Sequence, residues 1–373
     1  MLVTTPPVVL EGSADELDAA IAQAPNEPAV FVIRVKEGQP YLARTNLLRR
    51  RLLRLVAERS QTSRFLNLRS VAARVEYWPF ASRLESSLLL YELARTSFPD
   101  NYQRFLKLRS PFFVRLVLNN AFARTTVTTR LTTAEAVQYG PFRTRAAGEA
   151  FETGFLDFFQ LRRCQEDLMP SPEHPGCVYG EMGKCLRPCQ EAVSAEEYRS
   201  ESQRVAAFLE TSGDSLVDSI VRQRDQLSES LEFEEAARTH KRLERVNAVL
   251  QARDELATDL EKLSGVAITR AIEPEAVCLW FFWKGRWHAQ QTLSLKVVEG
   301  RPAPMDRRLK EAVAAVAPAS RSSLRERQDH TALLSSWFYS SWRDGEWVPF
   351  ADLSSVPYRK LVNAVHRVVH ATT

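Results

Sequence analysis

The chain has 373 residues, 45% of them hydrophobic and 26% charged, with a formal net charge of +4. This length carries two or three domains with separate cores, and no apolar run approaches the roughly 20 residues of a membrane-spanning helix, which excludes that class. Residues 1–12 lack the basic n-region of a signal peptide, so the expected setting is cytoplasmic.

In chain order, residues 15–23 place Leu17, Ala20 and Ile21 on one helix face with Ala24 just beyond, and Pro25 and Pro28 end the helix. Residues 29–35 and 41–44 read as strands around the turn Gly38-Gln39-Pro40. Residues 46–59 form a basic helix with Leu47, Leu48, Leu52, Leu55 and Val56 as its apolar stripe. A strand over 71–77 and a helix over 83–96, stopped before Pro99, complete a small β-β-α-β-α unit. Residues 112–118 and 124–129 pair as a hairpin around Asn119-Asn120. Tyr139-Gly140-Pro141-Phe142 reads as a turn, and 146–161 as a helix running into Cys164. Residues 195–261 are helical apart from a break near Gly213. Strands return over 265–298, with Gly285 turning a hairpin between Trp280-Phe281-Phe282-Trp283 and Trp287-His288-Ala289. A last helix over 358–371 turns Leu361, Val362, Val365, Val368 and Val369 inward, and 298–304 and 317–327 read as linkers.

Charge is unevenly placed. Arg34, Lys36, Arg44, Arg49, Arg50, Arg51, Arg54, Arg59, Arg64, Arg69 and Arg74 follow one another with only Glu37 and Glu58 against them. A solvated face normally mixes signs, so this stretch points to nucleic acid, with Arg44, Arg49, Arg50 and Arg54 as candidate DNA contacts. Arginine suits that task because its planar fork matches phosphate.

Four of the five cysteines, Cys164, Cys177, Cys185 and Cys189, follow the pattern Cys-x12-Cys-x7-Cys-x3-Cys, while Cys278 stands alone in an apolar run. Clustered thiols without a secretion signal argue for metal rather than disulfides. Four thiolates serve either a tetrahedral zinc or an iron–sulfur cluster, and the spacing leaves that choice open. Other patterns are weaker. Gly180-x-x-Gly183-Lys184 has Val178 where a phosphate loop needs its first Gly, and Cys185 where it needs Ser or Thr. His366 and His370 lie four apart without a carboxylate, and the Trp280–Trp283 and Trp337-Phe338 clusters read as core before they read as base-stacking surfaces.

Residues Tyr139-Gly140-Pro141-Phe142, Leu161-Arg162-Arg163-Cys164, Cys177 to Cys189 and Ser194-Ala195-Glu196-Glu197-Tyr198 resemble, in order and spacing, the cysteine segment of the UvrC excinuclease family. The resemblance implies a 4Fe–4S cluster on the four cysteines, with zinc as the alternative. Leu231-Glu232-Phe233-Glu234-Glu235-Ala236-Ala237-Arg238, preceded by a helix over 216–227, is similar to the UVR motif, a helical hairpin that docks UvrC proteins onto UvrB. The resemblance makes Phe233, Ala236, Ala237 and Arg238 partner contacts.

The first unit resembles a GIY-YIG nuclease domain. That family uses two Tyr hydroxyls, an Arg and a metal-holding Glu to cut a phosphodiester. The first Tyr falls at Phe31, which has no hydroxyl; the second falls at Tyr41 and the Arg at Arg51. The Gly of the second triplet falls at Ala43. The Glu falls at Leu90, with Glu92 two residues on and Glu85 one turn-pair earlier on the same helix face, and the expected Asn falls at Tyr102, beside Asn101.

The resulting expectation is an α+β multidomain chain. It comprises a GIY-YIG-like domain over 1–108, a hairpin and four-Cys segment over 109–200, a helical region with the UVR motif over 201–262, and a C-terminal α+β domain over 263–373 without a complete RNase H-like nuclease. The leading reading is a UvrC-like repair protein that binds DNA and a UvrB-type partner with a degenerate nuclease centre. One rival is an active endonuclease using Mg or Mn with Tyr41, Arg51 and Glu92 or Glu85; the other is a non-catalytic adaptor.

Overall fold

The computed structural model describes residues 2–56, 66–288, 290–295, 304–316 and 323–370. The expectations at Arg59, Arg64, Ala289, 298–303 and 317–322 fall outside them. Two compact units result: one holds 1–109, 264–320 and 336–373, the other 110–263 and 321–335.

In the first unit, Ala29, Val30, Phe31, Val32 and Ile33 of β2 (Ala29–Val35) are all buried. An unbroken apolar run fits a strand covered on both faces. It pairs with β3 (Tyr41–Thr45) and with β4 (Ala72–Pro79). The edge strand β1 (Val8–Glu11) completes an antiparallel sheet of order β1-β4-β2-β3. Sequence reading misses β1 because Val8 and Val9 are exposed and no alternation marks it.

Side chains alternate along a strand, so Phe31, Ile33, Tyr41, Ala43, Val75 and Tyr77 share one face. There they pack under α1 (Ala14–Gln23) and α2 (Leu48–Val56) through Leu17, Ile21, Leu48, Leu52 and Leu55. A capping box starts α1: Ser13 accepts from the Glu16 N–H, and Glu16 accepts from the Ser13 N–H. The helix α3 (Arg83–Ser97) lies on the opposite face, where Arg44 of β3 donates to Ser86 Oγ at 3.0 Å. It is followed by the short α4 (Tyr102–Leu106).

Residues 110–263 form the second unit with 321–335. Its sheet has the order β6-β5-β7-β8, from β5 (Phe112–Val117), β6 (Thr125–Thr128), β7 (Ala136–Phe142) and β8 (Thr258–Asp259). Tyr139-Gly140-Pro141-Phe142 is therefore strand, not turn. The register slips between Phe112 and Val114, and this irregularity absorbs the proline that a regular ladder rejects. Gly140 has φ +158, and a Cβ there would sit 2.8 Å from the Phe112 carbonyl oxygen. The next helix, α5 (Arg145–Leu156), ends eight residues before Cys164 rather than running into it. Beyond a one-turn α6 (Val178–Glu181) come α7 (Ala195–Glu210), α8 (Asp214–Glu229) and α9 (Phe233–Gln251). The expected helix to 261 stops at Gln251 because the chain returns to the sheet as β8. Residue 200 lies inside α7, so a division there would cut one helix and its core. Phe151, Phe155, Phe159 and Phe208 form that core, with ring centroids 5.3 Å apart for Phe155–Phe208 and 5.5 Å for Phe159–Phe208. Each fully buried Phe contributes roughly 1.5–3 kcal/mol.

The first unit also holds β9 (Gly265–Arg270), β10 (Ala276–Trp283), β11 (Arg286–Trp287), β12 (Gln291–Ser294) and β13 (Glu346–Pro349), ordered β11-β10-β9-β13 with β12 against β10. The helices α10 (Met305–Ala314) and α12 (Tyr358–His370) cover one face through Leu309, Val313, Leu361, Ala364, Val365 and Val368. Trp280, Phe281, Phe282, Trp287, Trp337 and Phe338 are buried, so these aromatic clusters are core and not base-stacking surfaces. The helix α11 (Leu324–Phe338) begins inside the segment expected as linker; its apolar residues lie all round, so periodicity does not announce it.

Candidate functional site

Tyr41 and Arg51 meet: Arg51 Nη2 donates to the Tyr41 hydroxyl at 2.7 Å. The Phe31 ring lies beside Tyr41, centroids 6.0 Å apart. Ala43 shares their face of the sheet, half-buried.

The expected carboxylates do not join them. Glu92 lies on α3, across the sheet, and its two oxygens accept the backbone N–H groups of Leu2 and, at 3.4 Å, Val3. Glu85, also on α3, accepts from the Ala81 N–H at 3.0 Å. It is buried, and burial pushes its carboxyl up to about 7, with Glu273 and Asp344 adding to the shift. Leu90 is half-buried on the same helix. Tyr102 is buried edge-on to Tyr91, while Asn101 is exposed. Glu92 and Glu85 are thus separated from Tyr41 and Arg51 by the sheet, because a strand sends successive side chains to opposite sides.

The basic stretch is not one surface. Arg69 pairs with Asp15 and Asp18, and Arg34 and Arg74 both pair with Glu76. The outer face of α2 presents Arg49, Arg50 and Arg54 to solvent, and Lys36 and Arg44 are exposed elsewhere in the stretch. Arg49 and Arg50 form no ion pair among the described residues; Arg49 donates to the Ala22 carbonyl at 3.5 Å, and the Arg50 N–H is capped by Asn26. Arg44 lies across the sheet from them. Partial burial of its head, and secondly the nearby Arg83, lower its pKa, while Asp344 opposes the shift.

The cysteine segment is seated on the aromatic core of the second unit. Leu161 is buried, and the buried Arg162 donates to the carbonyls of Phe122 at 2.8 Å and Glu166 at 2.9 Å, and to Cys164 Sγ at 3.5 Å. Tyr198, at the start of α7, accepts from the Arg162 N–H and donates to the Ala123 carbonyl. A capping box of Ser194 and Glu197 begins that helix. Cys177 precedes α6, and the Arg187 N–H donates to Cys185 Sγ at 3.4 Å. Arg187 and Glu191, both left-handed, bracket the single 3-10 turn that carries Cys189. Cys185 and Cys189 are buried, Cys164 is half-buried and Cys177 is exposed; all are free thiols. Burial raises the Cys185 thiol, the Arg187 N–H opposes the shift, and Cys177, Cys164 and Cys189 each raise it further. Among the described residues, no three His, Cys, Asp or Glu side chains close around a single ion position. The N–H donors aimed at Cys164 and Cys185 fit thiolates, whose charge they stabilise. Sequence reading marks Arg162 within the motif before Cys164 but not its contacts, because Phe122 lies 40 residues away in the chain.

The helices α8 and α9 form a hairpin, turned at Leu231 with φ +64. Leu216, Ile220, Leu243 and Val246 anchor its base. At its tip Leu231 is 72% and Phe233 62% exposed. Ala236 is half-buried, Ala237 and Arg238 are exposed, and Arg238 pairs with Glu235.

A family model described as the UvrC/Cho excinuclease middle domain matches residues 113–208. Similar curated proteins are each named UvrABC system protein C. That of Lachnospira eligens is 25% identical over 76% of this chain and 47% of its own length. That of Moorella thermoacetica is 27% identical over 72% and 44%, and that of a Hydrogenobaculum species 26% over 60% and 38%. The chain spans less than half the length of these relatives. No solved structure matches it. The region matched by the family model contains all four clustered cysteines, the Tyr139–Phe142 strand and Tyr198, and this agreement supports a UvrC-family protein.

Proposed function

We propose that this protein serves nucleotide excision repair by binding DNA and a UvrB-type partner, and that its N-terminal nuclease-like unit holds DNA without cutting it. The observation that carries the second half is the sheet between the Tyr41–Arg51 pair and the α3 carboxylates. Phosphodiester hydrolysis of this type needs a metal-held phosphate beside the activating hydroxyl. Here Glu92 is engaged by backbone N–H groups and Glu85 is a buried carboxyl. Binding is supported by the exposed guanidinium groups of α2, which suit phosphate. The exposed Leu231 and Phe233 support a docking role for the α8–α9 hairpin, since a large apolar tip without a cover is where partners attach.

Cys164, Cys177, Cys185 and Cys189 would hold a 4Fe–4S cluster. Four thiolates can serve a cubane or a tetrahedral zinc ion, and the likeness of this segment to the UvrC cysteine segment is what favours the cubane. The cluster would tie the loop after Phe159 to the turn before α7. Arg162 and the Arg187 N–H would direct hydrogen bonds at its sulfur ligands.

A nicking assay on supercoiled DNA with magnesium or manganese tests the reading. Binding without cleavage is expected. Cleavage abolished by Arg51→Ala would replace it with the endonuclease reading, which the retained Tyr41–Arg51 bond favours. Partner binding with no DNA affinity would leave the adaptor.

A further inference from the structure

Trp342 holds a large ring in solvent, 52% exposed, whereas Trp78, Trp280, Trp287 and Trp337 are buried. The ring is nevertheless fixed. The Arg83 guanidinium, in the first turn of α3, stacks 3.7 Å from its centroid. Two residues on, Asp344 accepts from the Arg83 backbone N–H and, at 3.0 Å, from Trp337 Nε1. Gly345 follows at φ +150, where a Cβ would lie 2.4 Å from the Ile268 carbonyl oxygen, so the loop has one close-fitting path onto β9. Arg343 stacks 4.6 Å over Phe338, and Arg44 lies within electrostatic reach of Arg83. Asp344 answers part of this positive charge.

One ring face is covered by a guanidinium and the side chain stays half open. An aromatic face among cations is the composition that binds unpaired bases: stacking tolerates any base, and the guanidinium groups follow the backbone. Paired bases in a duplex are stacked inside the helix and offer phosphates but no free face. We infer that Trp342, backed by Arg83, is a stacking site for an unpaired base of single-stranded or locally opened DNA. The inference rests on the DNA-binding reading above and adds to it the form of DNA that is preferred.

The test is fluorescence anisotropy with the full chain, using a labelled single strand and the duplex of the same sequence at one salt concentration. Trp342→Ala is expected to weaken single-strand binding about tenfold and to leave duplex binding within about twofold. Trp342→Phe, which keeps a ring, is expected to regain most of the loss. Unchanged single-strand affinity in Trp342→Ala overturns the site, as does an equal loss for both forms. Reduced binding to a UvrB-type partner with both DNA affinities intact assigns the ring to a protein interface and also overturns it. If the unaltered protein binds neither form, the DNA-binding reading itself fails, a result separate from any effect of Trp342.

Discussion

At the scale of single residues, the environment of a carboxylate decides what it does. Glu85 and Glu92 are equally plausible metal ligands as letters, yet one is a buried acid and the other caps backbone N–H groups. The Glu85 carboxyl has a folded pKa of about 7 against 4.5 when free. A raised acid favours the folded state only while it is protonated in both states, so its contribution is fully present below about pH 4.5 and is lost as pH rises toward 7. Glu85→Gln is therefore expected to flatten that part of the stability profile. At pH 8 it should stabilise the protein by up to about 3 kcal/mol, read from urea unfolding at several pH values. At the cysteines, Cys185→Ser is expected to lower iron content and visible absorbance of anaerobically purified protein. Iron retained at the unaltered level would refute the ligand set.

Single elements carry separate predictions. The tip of the α8–α9 hairpin is exposed, so Phe233→Asp is expected to change stability by less than about 0.5 kcal/mol while abolishing binding to a UvrB-type partner. The box that starts α7 joins Ser194 to Glu197 just after the cysteine segment. Ser194→Ala is expected to cost about 1 kcal/mol in chemical denaturation. In β7, Gly140→Ala would press a methyl group onto the Phe112 carbonyl oxygen and the Phe113 ring. A loss of roughly 1–3 kcal/mol is expected, measured as a lowered denaturation midpoint. These elements differ in legibility. The capping box and the hairpin rest on residues three or four apart, and sequence displays such spacing. The strand at Gly140-Pro141 depends on a register slip against Phe112, and nothing local records it.

Across the whole molecule, some cations of the basic stretch pair with carboxylates in the fold, and others stand on the exposed face of α2. Arg69 pairs with Asp15 and Asp18, and Arg34 and Arg74 share the carboxylate of Glu76, whereas Arg49, Arg50 and Arg54 are exposed on α2. Replacing those three by Glu is expected to weaken duplex binding and to reduce the slope of log K against log salt by up to about 3. The same change at Arg34, Arg69 and Arg74 would act first on stability. A slope unchanged by the α2 substitutions would remove that helix from the interface.

The sequence by itself determined the cysteine spacing, the periodicity of α1, α2 and α12, the strand β2 and the exposed-hairpin motif, since each is written in residues close along the chain. It also marked Tyr41 and Arg51, ten residues apart, whose side chains do meet. Only the tertiary structure decided on which side of the sheet each catalytic candidate falls, which arginines pair with carboxylates, and that Trp342 lies on Arg83. Those outcomes depend on strand register and on which face receives α3. They are fixed by burying all the apolar side chains at once, a condition no local stretch of sequence can satisfy alone.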